Sequence, residues 1–179
     1  MTDFTFYTPE TASSEAKPIL ENVQKAYGFI PNLFAYMAEA PTTLEAYLAL
    51  NALVEKTSLT PAQQQLALLT VSTENQCGFC AVAHRAFAKA KGADPQSIEA
   101  VHTETKVENE SDRALVALAL SIVRNRGWLP DEDIESFISA GFTKQQIMEV
   151  ILIVSIKTLS NYINHLSKPE PNKELLAML

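Results

Sequence analysis

The chain has 179 residues, 47% of them hydrophobic, and its 14 Lys and Arg against 21 Asp and Glu give a formal net charge of −7. This length and composition predict one folded domain and exclude a disordered chain, a collagen-like repeat and a disulfide-stapled mini-protein. Nucleic acid and anionic membrane surfaces are poor partners, because both repel an acidic protein.

Helix signals follow one another along the whole chain. Apolar residues at helical spacing are bounded by capping residues, proline and glycine. Thr60 and Thr143 each open a capping box, in which a glutamine follows three residues later. In chain order, helices are expected between Ser14 and Gly28, through Phe34 and Met37, from Pro41 to Val54, from Thr60 to about Thr73, from Cys77 to Gly92, after Asp94, from Ser111 to Gly127, from Pro130 to Ala140 and from Thr143 to Leu166.

Residues 150–156 are the most apolar run, and their β-branched side chains would also suit a buried strand. No second run is available to pair with them, and a lone strand leaves its backbone groups unsatisfied. The sequence therefore predicts an all-α fold. A weak internal repeat indicates either two similarly capped buried helices or a duplicated helical hairpin. The repeat aligns Thr60, Gln63, Val71 and Ser72 with Thr143, Gln146, Val154 and Ser155.

The start of the chain has neither the basic nor the apolar region of a secretory signal. The run at 150–156 is too short to span a bilayer. We therefore expect a cytoplasmic protein without membrane contact. In that reducing compartment, a lone cysteine pair is more often catalytic or metal-binding than a structural disulfide.

The chemistry centres on the two cysteines, Cys77 and Cys80, with His84 four residues further on. If Cys77 begins a helix, Cys80 lies in its first turn, where free amides and the helix dipole favour the thiolate. Residues three apart share a helix face, so the two sulfurs can form a disulfide. His84 lies one turn beyond Cys80, near enough to exchange a proton with its sulfur directly or through water. This set suits a dithiol peroxidase or a thiol–disulfide exchanger.

Other uses of the cysteines stay open at this point. A structural zinc site would need His102 as its fourth ligand beside Cys77, Cys80 and His84, a catalytic zinc site would use three of them, and buried inert thiols are a further alternative. Haem attachment is excluded because Ala81, not histidine, follows the second cysteine, and an iron–sulfur cluster lacks ligands. We expect no cofactor and no metal.

The preceding helix supplies a partner for the histidine. If the chain reverses at residues 74–76, the two flanking helices form an antiparallel hairpin. Gln65 and His84 are then about equally far from the reversal and lie side by side. Gln65 is therefore a candidate for orienting the His84 ring.

Residues 72–84, which read STENQCGFCAVAH, resemble the AhpD-like core of the carboxymuconolactone decarboxylase superfamily. That core reads roughly Ser-x-x-Asn-x-Cys-x-Tyr/Phe-Cys-x-x-x-His after a capped helix. Residues 28–32, 40–41 and 161–165 extend the resemblance more loosely. It implies one AhpD-like domain over residues 1–179, in which an N-terminal helical segment (1–58) packs on the cysteine hairpin (59–92) and on a second half (110–167).

The resemblance also implies roles and partners. Cys80 would attack a small organic hydroperoxide, Cys77 would resolve it as a disulfide, and His84 would belong to a proton relay. A lipoylated protein or another dithiol would reduce the disulfide, and the protein would form a homotrimer or a hexamer, with the site near a subunit interface.

One residue departs from the family pattern. The family relay carries a glutamate where this chain has Gln65, and glutamine cannot take up a proton at neutral pH. Either Glu74, at the reversal, supplies the charge, or the relay activates the thiol less strongly.

Three functions follow as hypotheses. The first is a peroxidase or thiol–disulfide oxidoreductase that uses both cysteines. The second is a cofactor-free lyase or decarboxylase that uses His84 as acid and base. The third is a non-enzymatic redox sensor whose assembly changes with its disulfide.

Overall fold

The computed structural model describes residues 3–179, which form ten α-helices and contain no β-strand. The all-α prediction is therefore confirmed. The helices are α1 (Ala16–Tyr27), α2 (Asn32–Met37), α3 (Pro41–Val54), α4 (Pro61–Glu74), α5 (Gly78–Ala90), α6 (Pro95–His102), α7 (Glu110–Arg124), α8 (Asp131–Ser139), α9 (Lys144–Ser167) and α10 (Lys173–Leu176).

Local capping fixes most of these helix ends as expected. Both capping boxes form, with Thr60 at the start of α4 and Thr143 at the start of α9. Gly28 ends α1 in the left-handed conformation, with a φ of 80°, which a residue without a Cβ adopts at little cost.

Two predictions about helix ends were wrong or incomplete. α7 starts after Asn109 rather than at Ser111, because the Asn109 side chain accepts a hydrogen bond from the Asp112 amide at 3.0 Å and so caps the helix earlier. α10 was not predicted, since a helix of four residues is too short to show an apolar period.

The centre of the fold is α4, which packs against α5, α6, α7 and α9. Seven consecutive residues of α4, 66–72, are buried, so the helix is covered on every side. α2 and α3 pack on α9, and α10 packs on α5. This arrangement holds α5, which carries the cysteines, between α4 and the C-terminal end of the chain.

Within the described residues, α9 is the one helix long and apolar enough to cross a membrane, with a mean hydropathy of 1.2 over its most apolar 18 residues. It serves here as a core helix, in contact with α2, α3, α4 and α7. Its buried residues include the polar side chains of Lys157, Ser160, Asn161 and Asn164. These side chains supply half of the candidate site.

Candidate functional site

The two cysteines lie where α5 begins. Cys77 is the residue before the first turn and Cys80 lies within that turn, and both are reduced and buried. The Cys77 amide donates to the Ser72 carbonyl at 2.9 Å, which closes the reversal between α4 and α5. Gln76 adopts a φ of 55° in this tight connection. The local sequence therefore places Cys80 among the free amides of a helix start.

The predicted pairing across the hairpin is present. The Nδ1 atom of His84 lies 2.9 Å from Oε1 of Gln65. The other ring nitrogen, Nε2, lies 2.9 Å from Nζ of Lys157, which comes from α9. An ammonium group can only donate, so Nε2 accepts from Lys157 and Nδ1 carries the proton that His84 donates to Gln65. His84 is thus held as one neutral tautomer.

Burial and neighbouring charges set the protonation states of His84 and Lys157. Burial lowers the pKa of His84 well below its usual value, and the Lys157 charge lowers it further. For Lys157, burial is the largest single influence and lowers the pKa, but the charges of Cys80, Tyr47 and Cys77 and a hydrogen bond to Cys80 together outweigh it, and the pKa rises. Neutral His84 and charged Lys157 are therefore the stable forms beside a Cys80 thiolate.

The thiols differ strongly in acidity. A hydrogen bond from the Cys77 thiol lowers the pKa of Cys80 to about 5, against the opposing effect of burial and with help from the Lys157 charge. The same hydrogen bond raises the pKa of Cys77, since that thiol must keep its proton to donate, and burial raises it further. The pair consequently holds one thiolate, on Cys80, and one thiol, on Cys77.

An amide from α9 lies against both sulfurs. Nδ2 of Asn164 donates to Sγ of Cys80 at 3.1 Å and to Sγ of Cys77 at 3.5 Å. One turn earlier, Oδ1 of Asn161 accepts from Nδ2 of Asn75 at 3.0 Å, which ties the reversal to α9. Contact with a single amide nitrogen keeps the two sulfurs adjacent, as a disulfide requires.

A cavity of about 320 Å³ opens beside this group. Cys80, His84, Gln65 and Lys157 line it, whereas Cys77 does not. Most of its remaining wall is apolar, including Phe34, Tyr47, Leu68, Phe79, Phe87 and Leu175. A molecule in the cavity therefore meets the Cys80 sulfur first, with Cys77 behind it.

The structure does not bring Glu74 to this group. Its carboxylate accepts two hydrogen bonds from Arg124 of α7, at 2.8 and 2.7 Å, and lines a different cavity. Both ring nitrogens of His84 are already engaged by Gln65 and Lys157. The hypothesis that Glu74 supplies the missing charge of the relay is therefore wrong, because the ion pair with Arg124 fixes the direction of the Glu74 side chain.

Residues 3–179 offer no set of ligands for a zinc site. Within residues 3–179, no three His, Cys, Asp or Glu side chains lie close enough together to hold a metal ion. His102 is the last residue of α6, and both ring nitrogens of His84 are engaged by Gln65 and Lys157.

Sequence reasoning missed Lys157 and Asn164, although α9 carried a signal for them. Lys157 follows the most apolar run of the chain, and a lysine at that position must either reach solvent or be buried beside a polar partner. Lys157, Asn161 and Asn164 are spaced four and three apart, which puts them on one helix face. A polar stripe on an otherwise apolar core helix points to a buried polar site.

Comparison with known proteins places this geometry in context. Residues 41–107 match the model of the carboxymuconolactone decarboxylase family. No curated protein matches the chain significantly.

Solved structures share the fold over nearly the whole chain. A peroxidase-related protein from Ralstonia eutropha JMP134 with an alkylhydroperoxidase AhpD core is 23% identical, with a TM-score of 0.86, and the match covers 98% of this chain and 94% of that one. A peroxidase-related protein from Silicibacter sp. TM1040 is 23% identical, with a TM-score of 0.79 and coverages of 97% and 92%.

A third similar structure carries another activity. It is a cysteine-to-alanine variant of the debrominase Bmp8 in complex with 2,3,4-tribromopyrrole, 18% identical, with a TM-score of 0.79 and coverages of 99% and 96%. The AhpD-like fold is therefore shared by peroxidase-related proteins and by a debrominase.

Proposed function

We propose that this chain, an AhpD-like member of the carboxymuconolactone decarboxylase superfamily as its motif predicted, reduces small organic hydroperoxides with the Cys77–Cys80 dithiol. The observation that carries the proposal is the position of the cavity. It reaches Cys80, whose pKa is lowered to about 5, and leaves Cys77 behind as the thiol that keeps its proton. Nucleophile and resolving thiol thus differ in both access and charge.

The reaction runs in two steps. The Cys80 thiolate attacks the outer peroxide oxygen, so that an S–O bond forms and the O–O bond breaks. The alkoxide that is released takes up one proton from the site and leaves as an alcohol. Cys77 then attacks the resulting sulfenic acid, and the disulfide forms as water departs. Asn164, in contact with both sulfurs, keeps Cys77 within reach during the second step. His84, held between Gln65 and Lys157, belongs to the hydrogen-bonded group beside them.

The cavity favours organic over inorganic peroxide. Its volume of about 320 Å³ accommodates a small organic molecule, and aromatic and aliphatic side chains form most of its wall. Hydrogen peroxide would fill little of this space and gain little from apolar contact. We therefore expect a lower KM for alkyl or aryl hydroperoxides than for hydrogen peroxide.

Regeneration and assembly extend the proposal. A lipoylated protein or another dithiol in the cytoplasm would reduce the disulfide. A homotrimer or hexamer would cover the apolar side chains that α9 exposes, among them Met148, Tyr162 and Leu166, which are 65%, 59% and 66% exposed. Light scattering of the purified protein measures the oligomer number, and a monomer at micromolar concentration would contradict the assembly.

Stopped-flow kinetics with cumene hydroperoxide test the roles of the cysteines. Cys80→Ser should abolish oxidation, while Cys77→Ser should consume one equivalent of peroxide and then stall. The two variants are matched controls, since each replaces one sulfur by oxygen at neighbouring positions of the same turn. Equal activity of the two variants would contradict the assignment.

A variant that lacks both cysteines, together with the wild-type protein, separates the other hypotheses. A lyase that relies on His84 keeps its activity when both cysteines are replaced. A redox sensor changes its assembly on oxidation but shows no peroxide turnover with a dithiol present.

Thiol-dependent reductive debromination is a second candidate. It is favoured by a thiolate that faces an aromatic-lined cavity and by the fold shared with the debrominase Bmp8. In that reaction two thiols supply two electrons, so a C–Br bond is replaced by C–H, bromide leaves with one proton and the cysteines become a disulfide. Bromide release from tribromopyrrole, absent in Cys80→Ser, tests it.

A further inference from the structure

Lys157 is a buried cation without a carboxylate partner. Its residue is 1% exposed, and no ion pair in residues 3–179 includes it. The titratable groups that face it are Cys77, Cys80 and His84 from α5 and Tyr47 from α3. A buried unpaired ammonium is costly, and among the described residues the Cys80 thiolate is the counter-charge that acts on it most strongly.

His84 cannot supply a proton to the cavity in this arrangement. Its only ring proton lies on Nδ1 and is donated to Gln65, while Nε2 accepts from Lys157. Gln65 has no carboxyl group that could receive or return a proton. Tyr27, Tyr47 and Lys91 also carry dissociable protons in the cavity wall, and burial raises the pKa of both tyrosines. Lys157 is the group among these whose charge and hydrogen bond act on the Cys80 sulfur, so the proton beside that sulfur is on its Nζ.

We propose that Lys157 is a catalytic residue, the general acid that protonates the leaving oxygen of the hydroperoxide. The proposal rests on the peroxidase function above. When the Cys80 thiolate takes the outer oxygen, the alkoxide leaves and receives the Lys157 proton. An alcohol, a Cys80 sulfenic acid and a neutral amine result. The two charges of the resting site vanish together, and no unpaired buried charge remains.

The neutral amine then serves the second step. It accepts the Cys77 thiol proton, the Cys77 thiolate displaces hydroxide from Cys80, and the hydroxide recovers that proton as water. The disulfide state holds neutral Lys157. An external dithiol supplies two electrons and two protons, one for Cys77 and one for Lys157, and restores the thiolate–ammonium pair.

His84 is a positioning residue in this scheme. Its Nε2 lone pair orients the ammonium, and Gln65 fixes the tautomer that leaves this lone pair free. Glutamine in place of the family glutamate is then compatible with activity, because the proton comes from Lys157 and not from a carboxylic acid.

Single-turnover oxidation with two oxidants tests the proposal. The leaving group of cumene hydroperoxide is an alkoxide, which needs a proton. The leaving group of peroxyacetic acid is acetate, which does not need one. The variants are Lys157→Met, which removes the charge, and Lys157→Arg, which keeps a charge but has no proton to give at neutral pH. Lys144→Met, an exposed position on the same helix, is the control. Rates are compared at a pH where alkylation shows Cys80 to be fully ionised in every protein.

We expect the single-turnover oxidation rate of both Lys157 variants to fall about 100-fold or more with cumene hydroperoxide. With peroxyacetic acid, the rate should stay within a few-fold of the wild-type rate. Equal losses with both oxidants, or no loss, would overturn the role of Lys157 while leaving the peroxidase intact. A wild-type protein inert to both oxidants would instead overturn the peroxidase function and the inference together.

A measurement on the wild-type protein guards against variants that fail to fold. Proton transfer to the leaving oxygen predicts a solvent deuterium isotope effect on Cys80 oxidation by cumene hydroperoxide and none with peroxyacetic acid. The same isotope effect with both oxidants would overturn the proposal.

Discussion

The acidity of Cys80 depends first on one neighbour, the Cys77 thiol, and this dependence can be measured. Its hydrogen bond is the largest influence that lowers the Cys80 pKa. Cys77→Ala removes the donor, whereas Cys77→Ser replaces S–H by O–H and keeps one. The alanine variant should therefore have the less acidic Cys80, while Lys157 and the burial of the site remain as they are.

The expected rise in the Cys80 pKa follows from the energy of the hydrogen bond that Cys77→Ala removes. A hydrogen bond to a charged group contributes about 1.5–3 kcal/mol, and one pKa unit corresponds to about 1.36 kcal/mol. Cys77→Ala should thus raise the pKa of Cys80 by about 1–2 units, from the value of about 5. Cys77→Ser should stay within about half a unit of the wild-type value.

Alkylation by iodoacetamide is the assay. Each variant contains a single cysteine, so the reagent reports on Cys80 alone. The rate is measured between about pH 4 and about pH 9, and its midpoint gives the thiolate pKa. The same midpoint in both variants would refute the role of the hydrogen bond, and a midpoint near the unperturbed value of about 8.5 would refute the thiolate itself.

Three further predictions concern the surroundings of the thiols. Glu74→Gln breaks an exposed ion pair with Arg124, so denaturant unfolding should show a loss of at most about 1 kcal/mol and peroxide turnover should be unchanged; a tenfold slower rate would return Glu74 to the relay. Leu175→Phe places a larger side chain in the cavity wall and so narrows the cavity. It should slow the reduction of cumene hydroperoxide more than that of hydrogen peroxide in parallel kinetics, and equal slowing of both reactions would contradict the cavity as the substrate site. The pKa values of Cys80 and His84 are both lowered on folding, so the unfolded chain binds more protons and reduced protein should lose stability as pH falls from about 8.5 towards about 5. The Cys80 share is at most about 1.4 kcal/mol per pH unit, and urea unfolding of wild type and Cys80→Ser with the same pH slope would contradict it.

Local chemistry explains which parts of the fold were predictable. The capping boxes at Thr60 and Thr143 and the left-handed glycine at Gly28 act within a few residues, so the sequence displays them directly. The helix hairpin also follows from local spacing, and it correctly placed Gln65 beside His84.

The remaining half of the site depends on contacts between distant segments. Lys157 is 73 residues from His84, and Asn164 is 84 residues from Cys80. Helix periodicity puts these side chains on one face of α9 but does not say which helix that face meets. Glu74 was ambiguous for the same reason, because Arg124 lies 50 residues away and fixes its direction.

The most direct test of the dithiol mechanism is a stoichiometric titration of the reduced protein with cumene hydroperoxide, followed by peptide mass spectrometry. The mechanism predicts one alcohol per chain, the loss of both thiols and a single disulfide that joins Cys77 to Cys80. Peroxide consumed while both thiols remain, or alcohol formed by a protein that lacks both cysteines, would contradict it.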